Sequence, residues 1–196
     1  PITVSPGDML LVSVARNDTG SKVGIHKIVC FSFVAAAPPE RSFRPGFYGT
    51  DRSLAFTEFD IKKDTLKSIA RAGLTAVPSV SYMSDINRFP ALPWFSWGGG
   101  WDSTVIMPQV NCANKNDENT SQGSSYRFSM AAMWLNLDFT YEQKRTLLLK
   151  IIQNGIDLAS FFAAGGTMHG GGSHQTGYKM PLFFAAVLLD NAQMLG

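Results

Sequence analysis

The stretch Thr140-Tyr141-Glu142-Gln143 opens a helix and leaves few alternatives for the residues after it. The threonine hydroxyl accepts from the third backbone N–H while the glutamine side chain reaches back to the N-cap amide, a reciprocal capping box. Beyond it, Leu147, Leu148, Ile151, Ile152, Gly155, Leu158, Ala159 and Phe162 recur at helical spacing until Gly165-Gly166 supplies a stop. A helix this long with a wide apolar side has to bury that side, so the chain needs partner helices. Tyr126 to Leu137 provides one: Phe128, Ala131, Ala132 and Leu135 form the stripe. Met130, Met133, Trp134 and Leu137 broaden it, which predicts burial on most sides. The link Asp138-Phe139 is short, which predicts an antiparallel helix hairpin. Pro181 suits a first helical position, so Leu182 to Leu195 is predicted as a third core helix. Gly155 costs about 1 kcal/mol against alanine inside a helix, which points to close helix approach there.

The N-terminal part reads differently. Ser5-Pro6-Gly7-Asp8 is a turn, followed by the strand formers Leu11, Val12 and Val14. Asn17-Asp18-Thr19-Gly20 is a second turn cluster, and Val23 to Ala35 carries Ile28, Val29, Phe31 and Phe33 as a second strand. A hairpin is expected. Pro38-Pro39 ends it, and Glu40 to Thr57 is irregular. Asp60 is expected to cap a short helix, Ile61 to Ala72, stopped by Gly73. Leu74 to Ser125 lacks clear periodicity, and residues 111–125 are expected to form an exposed polar loop. The fold class is therefore mainly α with a small N-terminal β hairpin: a β segment over 1–36 and a helical domain over 37–196 with long aromatic and glycine-rich loops, the two forming one structural unit.

Composition narrows function by exclusion. Hydrophobic residues make up 45% and charged residues only 16% of the 196 residues, which fits a folded globular chain and argues against disorder. The low charge suggests that much surface is buried, against a partner or another part of a larger assembly. A net charge of +2 with no basic block gives nucleic-acid binding little support. The longest strongly apolar run, Met180 to Leu189, is about half the length of a bilayer span, so no transmembrane segment is expected. No signal peptide is visible in the first ten residues, and a start at Pro1 suggests a processed chain or a fragment. An extracellular or virion-associated setting is expected. Cys30 and Cys112 leave two readings open, one disulfide or two free buried thiols.

The candidate chemistry concentrates in Gly165 to Pro181, a glycine-rich loop holding two of the three histidines, His169 and His174, followed by Tyr178 and Lys179. Its glycines allow close backbone approach to a ligand, and it brings together an imidazole, a phenol and an amine. The histidines lie five apart with no Cys, Asp or Glu beside them, so no metal site and no cofactor are expected. Arg41, Arg44 and Arg52 lie in the irregular segment, either as anion ligands or as ties that hold loops to backbone carbonyls and internal carboxylates. Trp94, Trp97 and Trp101 are interleaved with three glycines, either as a stacking platform for sugar rings or as a plug under a helical core.

The order of motifs resembles a group of large, often marine, bacterial proteins of unassigned activity. The matching pieces are Ala37-Pro38-Pro39, Phe43-Arg44-Pro45, Tyr48-Gly49, Met107-Pro108, Gln153 to Leu158, Gly172 to His174 and Gly177 to Leu189. More loosely, helix hairpins joined by such a loop resemble part of an α/α toroid, the fold of many polysaccharide lyases and six-hairpin glycosidases. Tyr178-Lys179 stands where the group has Arg-Lys, and Ser173 replaces a glycine. The resemblance implies a glycan-recognising or glycan-processing module, lyase-like if it is an enzyme. On that expectation His174, Tyr178 and Lys179 are catalytic, with His174 as base and Tyr178 as acid. Arg44, Trp97, Trp101 and His169 bind substrate. The alternative is a non-catalytic structural or assembly protein, part of a virus particle or a large secreted assembly. The expected partners are correspondingly a polysaccharide or other protein subunits, including further copies of the chain.

Overall fold

In the computed structural model, residues 2–16, 24–75, 77–84, 121–166 and 176–195 are described; the side chains of residues 13–16, 24–28, 121–127 and 176–178 are not part of that description. The chain is mainly helical with one small antiparallel sheet. Strand β1, Met9–Arg16, pairs with β2, Gly24–Ser32, in the register Leu10↔Phe31, Leu11↔Cys30 and Val12↔Val29. Between Val14↔Lys27 and Ala15↔Ile25 the register shifts, leaving His26 as the extra residue of a bulge. The expected turn before β1 forms: Asp8 N–H donates to the Ser5 carbonyl (3.0 Å), with Gly7 at φ +95, as a turn with proline second and glycine third requires.

Among the described residues four α-helices come after the sheet: α1, Val80–Ser84; α2, Ser121–Leu135; α3, Tyr141–Ala163; and α4, Thr176–Leu188. The capping box at α3 is as the sequence predicts. Gln143 N–H donates to Thr140 Oγ1 (3.3 Å), and Thr140 N–H donates to Gln143 Oε1 (2.9 Å). Its C-terminus closes with the paired bonds Gly166 N–H to Phe161 O and Gly165 N–H to Phe162 O, both 2.9 Å, with Gly165 at φ +81. Leu147, Leu148, Ile151, Ile152, Ile156 and Leu158 are buried, together with Phe128, Ala131 and Leu135 of α2 and Leu182, Ala185 and Leu188 of α4. Among the described helices α3 alone is long and apolar enough to cross a membrane by length and composition, and most of it is packed inside the protein.

Helix α4 packs against both α2 and α3, which touch each other less. Three expectations are corrected. Helix α2 starts at Ser121, inside the stretch expected to be a polar loop, and Met133 is 62% exposed rather than buried. Pro181 lies inside α4 rather than at its start, and α4 ends at Leu188 through a left-handed Asp190 (φ +51) before a 3-10 turn at Ala192–Leu195. The expected helix over 61–72 does not form. Thr57 caps a 3-10 turn at Glu58–Asp60, with Asp60 reaching back to the Thr57 amide, and a second turn spans Lys63–Thr65. The reason lies in tertiary hydrogen bonding. Lys62 N–H donates to Leu188 O (2.7 Å), Ile69 N–H to Asn136 O (2.9 Å), and Asp138 N–H to Ile69 O (2.9 Å), so neighbouring elements take the backbone groups a helix would use.

Candidate functional site: a strap docked on helix α3

Gln153, Asp157 and Ser160 fall at i, i+4 and i+7, a polar stripe on one side of α3. Residues 43–49, Phe-Arg-Pro-Gly-Phe-Tyr-Gly, lie along it as a strap. Arg44 N–H donates to Gln153 Oε1, and Gln153 Nε2 donates back to Arg44 O, both at 2.9 Å. One amide side chain thus substitutes for a strand partner. Arg44 Nη2 donates to Asp157 Oδ2 at 2.5 Å, and its Nη1 donates to Pro45 O at 2.9 Å. Tyr48 N–H donates to Ser160 Oγ (3.3 Å), and that hydroxyl donates to Asp157 O (2.7 Å). A Cβ on Gly46 would collide with the Ser160 side chain, so glycine is what lets the strap lie flush.

Asp157 is 0% exposed, and among the described residues Arg44 is its one charged hydrogen-bond partner and Oδ1 has no partner of acceptable hydrogen-bond geometry. The Phe47 backbone and the Gln153 side chain are nevertheless near enough to favour the charged form slightly. Burial dominates and raises the carboxyl to about 7, with the Arg44 guanidinium opposing the rise. The Cys30 thiol, on β2, is raised by burial, with smaller opposing effects of the Arg44, Asp157 and Arg52 charges. Arg52 joins the layers: Nη1 donates to Tyr48 O and Nη2 to Gly49 O at 2.9 Å, while Nε donates to Gly7 O at 3.2 Å.

A second polar cluster holds the next segment. Arg145 Nε donates to Glu58 Oε1 (2.7 Å), its Nη2 donates to Oε2 (2.6 Å), and the Tyr141 hydroxyl donates to Oε1 (2.6 Å). The bonds from Arg145 hold the buried Glu58 carboxyl down at about 2. Burial and Glu58 push the Tyr141 phenol well above its ordinary value. Lys63 Nζ sits 4.0 Å from the centroid of the Tyr141 ring.

Against this geometry the sequence-derived site divides. Arg44 is drawn into an internal pair and its side chain is 18% exposed, so it is a tie between strap and helix rather than a ligand arm. Arg52 ties carbonyls, and Arg41 stacks its guanidinium 5.5 Å from the Phe59 ring centroid beside Glu40. Lys179 is exposed in the first turns of α4. Tyr178 is in α4, its side chain outside the description, and His169, His174, Trp97, Trp101 and Cys112 lie outside the described residues. Cys30 is a free thiol among the described residues. Among the described residues no group of three His, Cys, Asp or Glu side chains could hold a metal ion. Sequence reasoning did not single out Gln153, Asp157, Ser160 and Glu58. The available signal was a carboxylate set between Ile156 and Leu158, the one charged residue between Ile151 and Ala163, with polar residues one turn away on either side.

Three of the stretches that stood out in the sequence meet here. Phe43-Arg44-Pro45 docks on Gln153 to Leu158, and Gly155 of that stretch receives α4 at Pro181 and Ala185. Comparison with known proteins returns no matching protein-family model, no similar curated protein and no similar solved structure.

Proposed function

We propose that the chain is a non-catalytic assembly module whose hairpin is an interaction surface for a further copy of the chain. One observation carries this reading. The register puts Leu10, Val12, Val29 and Phe31 on one face of the hairpin, opposite Leu11 and Cys30. A hairpin with one face on a core and one in water alternates apolar with polar residues. Here that face is apolar throughout its described part, with Val12 41% and Phe31 49% exposed, and Leu11 on the other face is 46% exposed as well, so the hairpin offers apolar surface on both sides. Both edges of the two-stranded sheet are also open for pairing among the described residues. The charge content of 16% supports a surface that is covered when the protein works. Part of an α/α toroid remains the finer architecture proposed for the helices, on the resemblance of the motif order.

A second reading is glycan recognition or lyase-type processing. It is favoured by the exposed Lys179 at the end of the histidine-bearing loop, and it now proceeds without Arg44. Light scattering across a concentration series separates the two. The assembly reading expects a discrete oligomer that V12K/F31K converts to monomer without loss of helicity. A monodisperse monomer at about 100 μM, near the weak end of specific association, removes it. A rise in unsaturated-uronate absorbance on alginate, pectate or glycosaminoglycan transfers the function to the second reading.

A further inference from the structure

Helix α4 leaves one narrow stripe in water. Leu182, Ala185, Ala186, Leu188 and Leu189 are buried, while Phe183 is 50% and Val187 55% exposed. Lys179, one turn before Phe183, and Asp190, just past the helix end, are exposed as well. The four recur at i, i+4, i+8 and i+11, so they share one side of the helix. Two apolar side chains thus sit between a cation at one end and an anion at the other.

The hairpin face that carries Val12 and Phe31 has the reverse order. Leu10↔Phe31 and Val12↔Val29 are followed toward the tip by Val14↔Lys27, so backbone alternation puts Lys27 at the tip end of that face. Asp8, exposed, stands at its base two residues before Leu10. From Asp8 to Val14 the face runs about 20 Å. From Lys179 to Asp190 the stripe runs about 16 Å. With β1 laid along α4 in the same direction, Asp8 meets Lys179, Lys27 meets Asp190, and the apolar residues meet between them.

The two surfaces belong to opposite sides of the chain. Gln153, Asp157 and Ser160 hold the strap, and Gly155, which receives Pro181 and Ala185 of α4, falls about half a turn away from them around α3. Phe183 and Val187 lie two residues beyond Pro181 and Ala185, on the far side of α4. The hairpin base is tied to the strap through Arg52 and the Gly7 carbonyl, so α3 and α4 stand between it and the stripe.

Resting on the assembly reading above, we propose that the α4 stripe seats the hairpin of the next copy, so that copies join head to tail. A contact between two different surfaces is not used up in a pair, and it continues into a ring or a filament.

Sedimentation velocity tests this. The native protein is expected to form a concentration-dependent oligomer. F183K/V187K and V12K/F31K are each expected to be monomers. Their mixture should give a one-to-one heterodimer and nothing larger, because each variant brings one intact surface. F183K/V187K that assembles like the native protein overturns the head-to-tail contact and leaves the assembly reading standing. A mixture that stays monomeric overturns the contact too, and a monomeric native protein removes both. Should F183K/V187K not fold, charge reversal at the rim decides. D190K is expected to weaken association at least about threefold, and K27D in the same chain to restore it. A further loss in K27D/D190K overturns the contact.

Discussion

Gly155→Ala tests the closest contact in the core. In an isolated helix this change is favourable by about 1 kcal/mol, because glycine loses more backbone freedom on folding. In the protein a Cβ at 155 would collide with the Ala185 Cβ and with the Pro181 carbonyl oxygen. Neither can swing aside: one is the first atom of a side chain and the other is main chain. The two helices must separate or shift, and overpacking of this kind costs about 1–3 kcal/mol, at the upper end where the obstacle is rigid. The net expectation is a loss of about 1–2 kcal/mol. For a chain of this size each kcal/mol moves Tm by about 2–4 °C, so a fall of roughly 2–8 °C is expected in a thermal melt. Ala185→Gly removes one of the two obstacles and leaves the Pro181 carbonyl. The double variant should therefore recover part of the loss, with a coupling energy above about 0.5 kcal/mol in a double-mutant cycle. A Tm for Gly155→Ala that stays level or rises by the helix-propensity gain would refute the close crossing of α3 and α4. Additive single effects would refute the pairing of 155 with 185.

Glu58→Gln should cost about 2–3 kcal/mol in urea unfolding near neutral pH, less than for a fully buried pair because Arg145 is about a third exposed and can hydrate. The sign with pH is that of a depressed carboxyl. Its contribution is present above the ordinary value of 4.5 and fades as pH falls toward about 2, so the gap between native protein and variant should close across that window. A gap that is constant with pH would sink the assignment. At the end of α4, Asp190 holds a left-handed conformation that glycine adopts without strain, and it sets a negative charge against the helix C-terminus. Asp190→Gly should therefore stabilise the chain by about 0.5–1 kcal/mol in thermal melts, and destabilisation would show that the side chain contributes more than the strain removes.

Most of the helical frame and the hairpin could be read from the sequence because both rest on short-range rules. The Thr140 capping box, the stop at Gly165-Gly166, the Pro6-Gly7 turn and the 3.6-residue stripes each involve residues within a few positions of one another. The segment 57–72 misled for the complementary reason. Ile61, Leu66 and Ile69 do fall at helix-like spacings, yet Lys62 N–H goes to Leu188 O and Ile69 N–H to Asn136 O, far away in sequence, while Leu66 N–H closes a local turn on Lys63 O. Arg44 is a similar case: an arginine in a glycine- and proline-rich loop reads as a potential anion ligand until the carboxylate more than a hundred residues away is seen to hold it.

By itself, then, the sequence determined where α3 starts and stops, which faces of the core helices are apolar, and that Gly155 marks a close approach. These come from local hydrogen-bond closure and side-chain periodicity. The tertiary structure alone decided that α4 packs on both α2 and α3, that the 43–49 strap lies on α3, and that Asp157 is buried with a single charged partner. Those outcomes depend on which distant groups compete for the same polar atoms and the same volume, and no spacing within one segment encodes that competition.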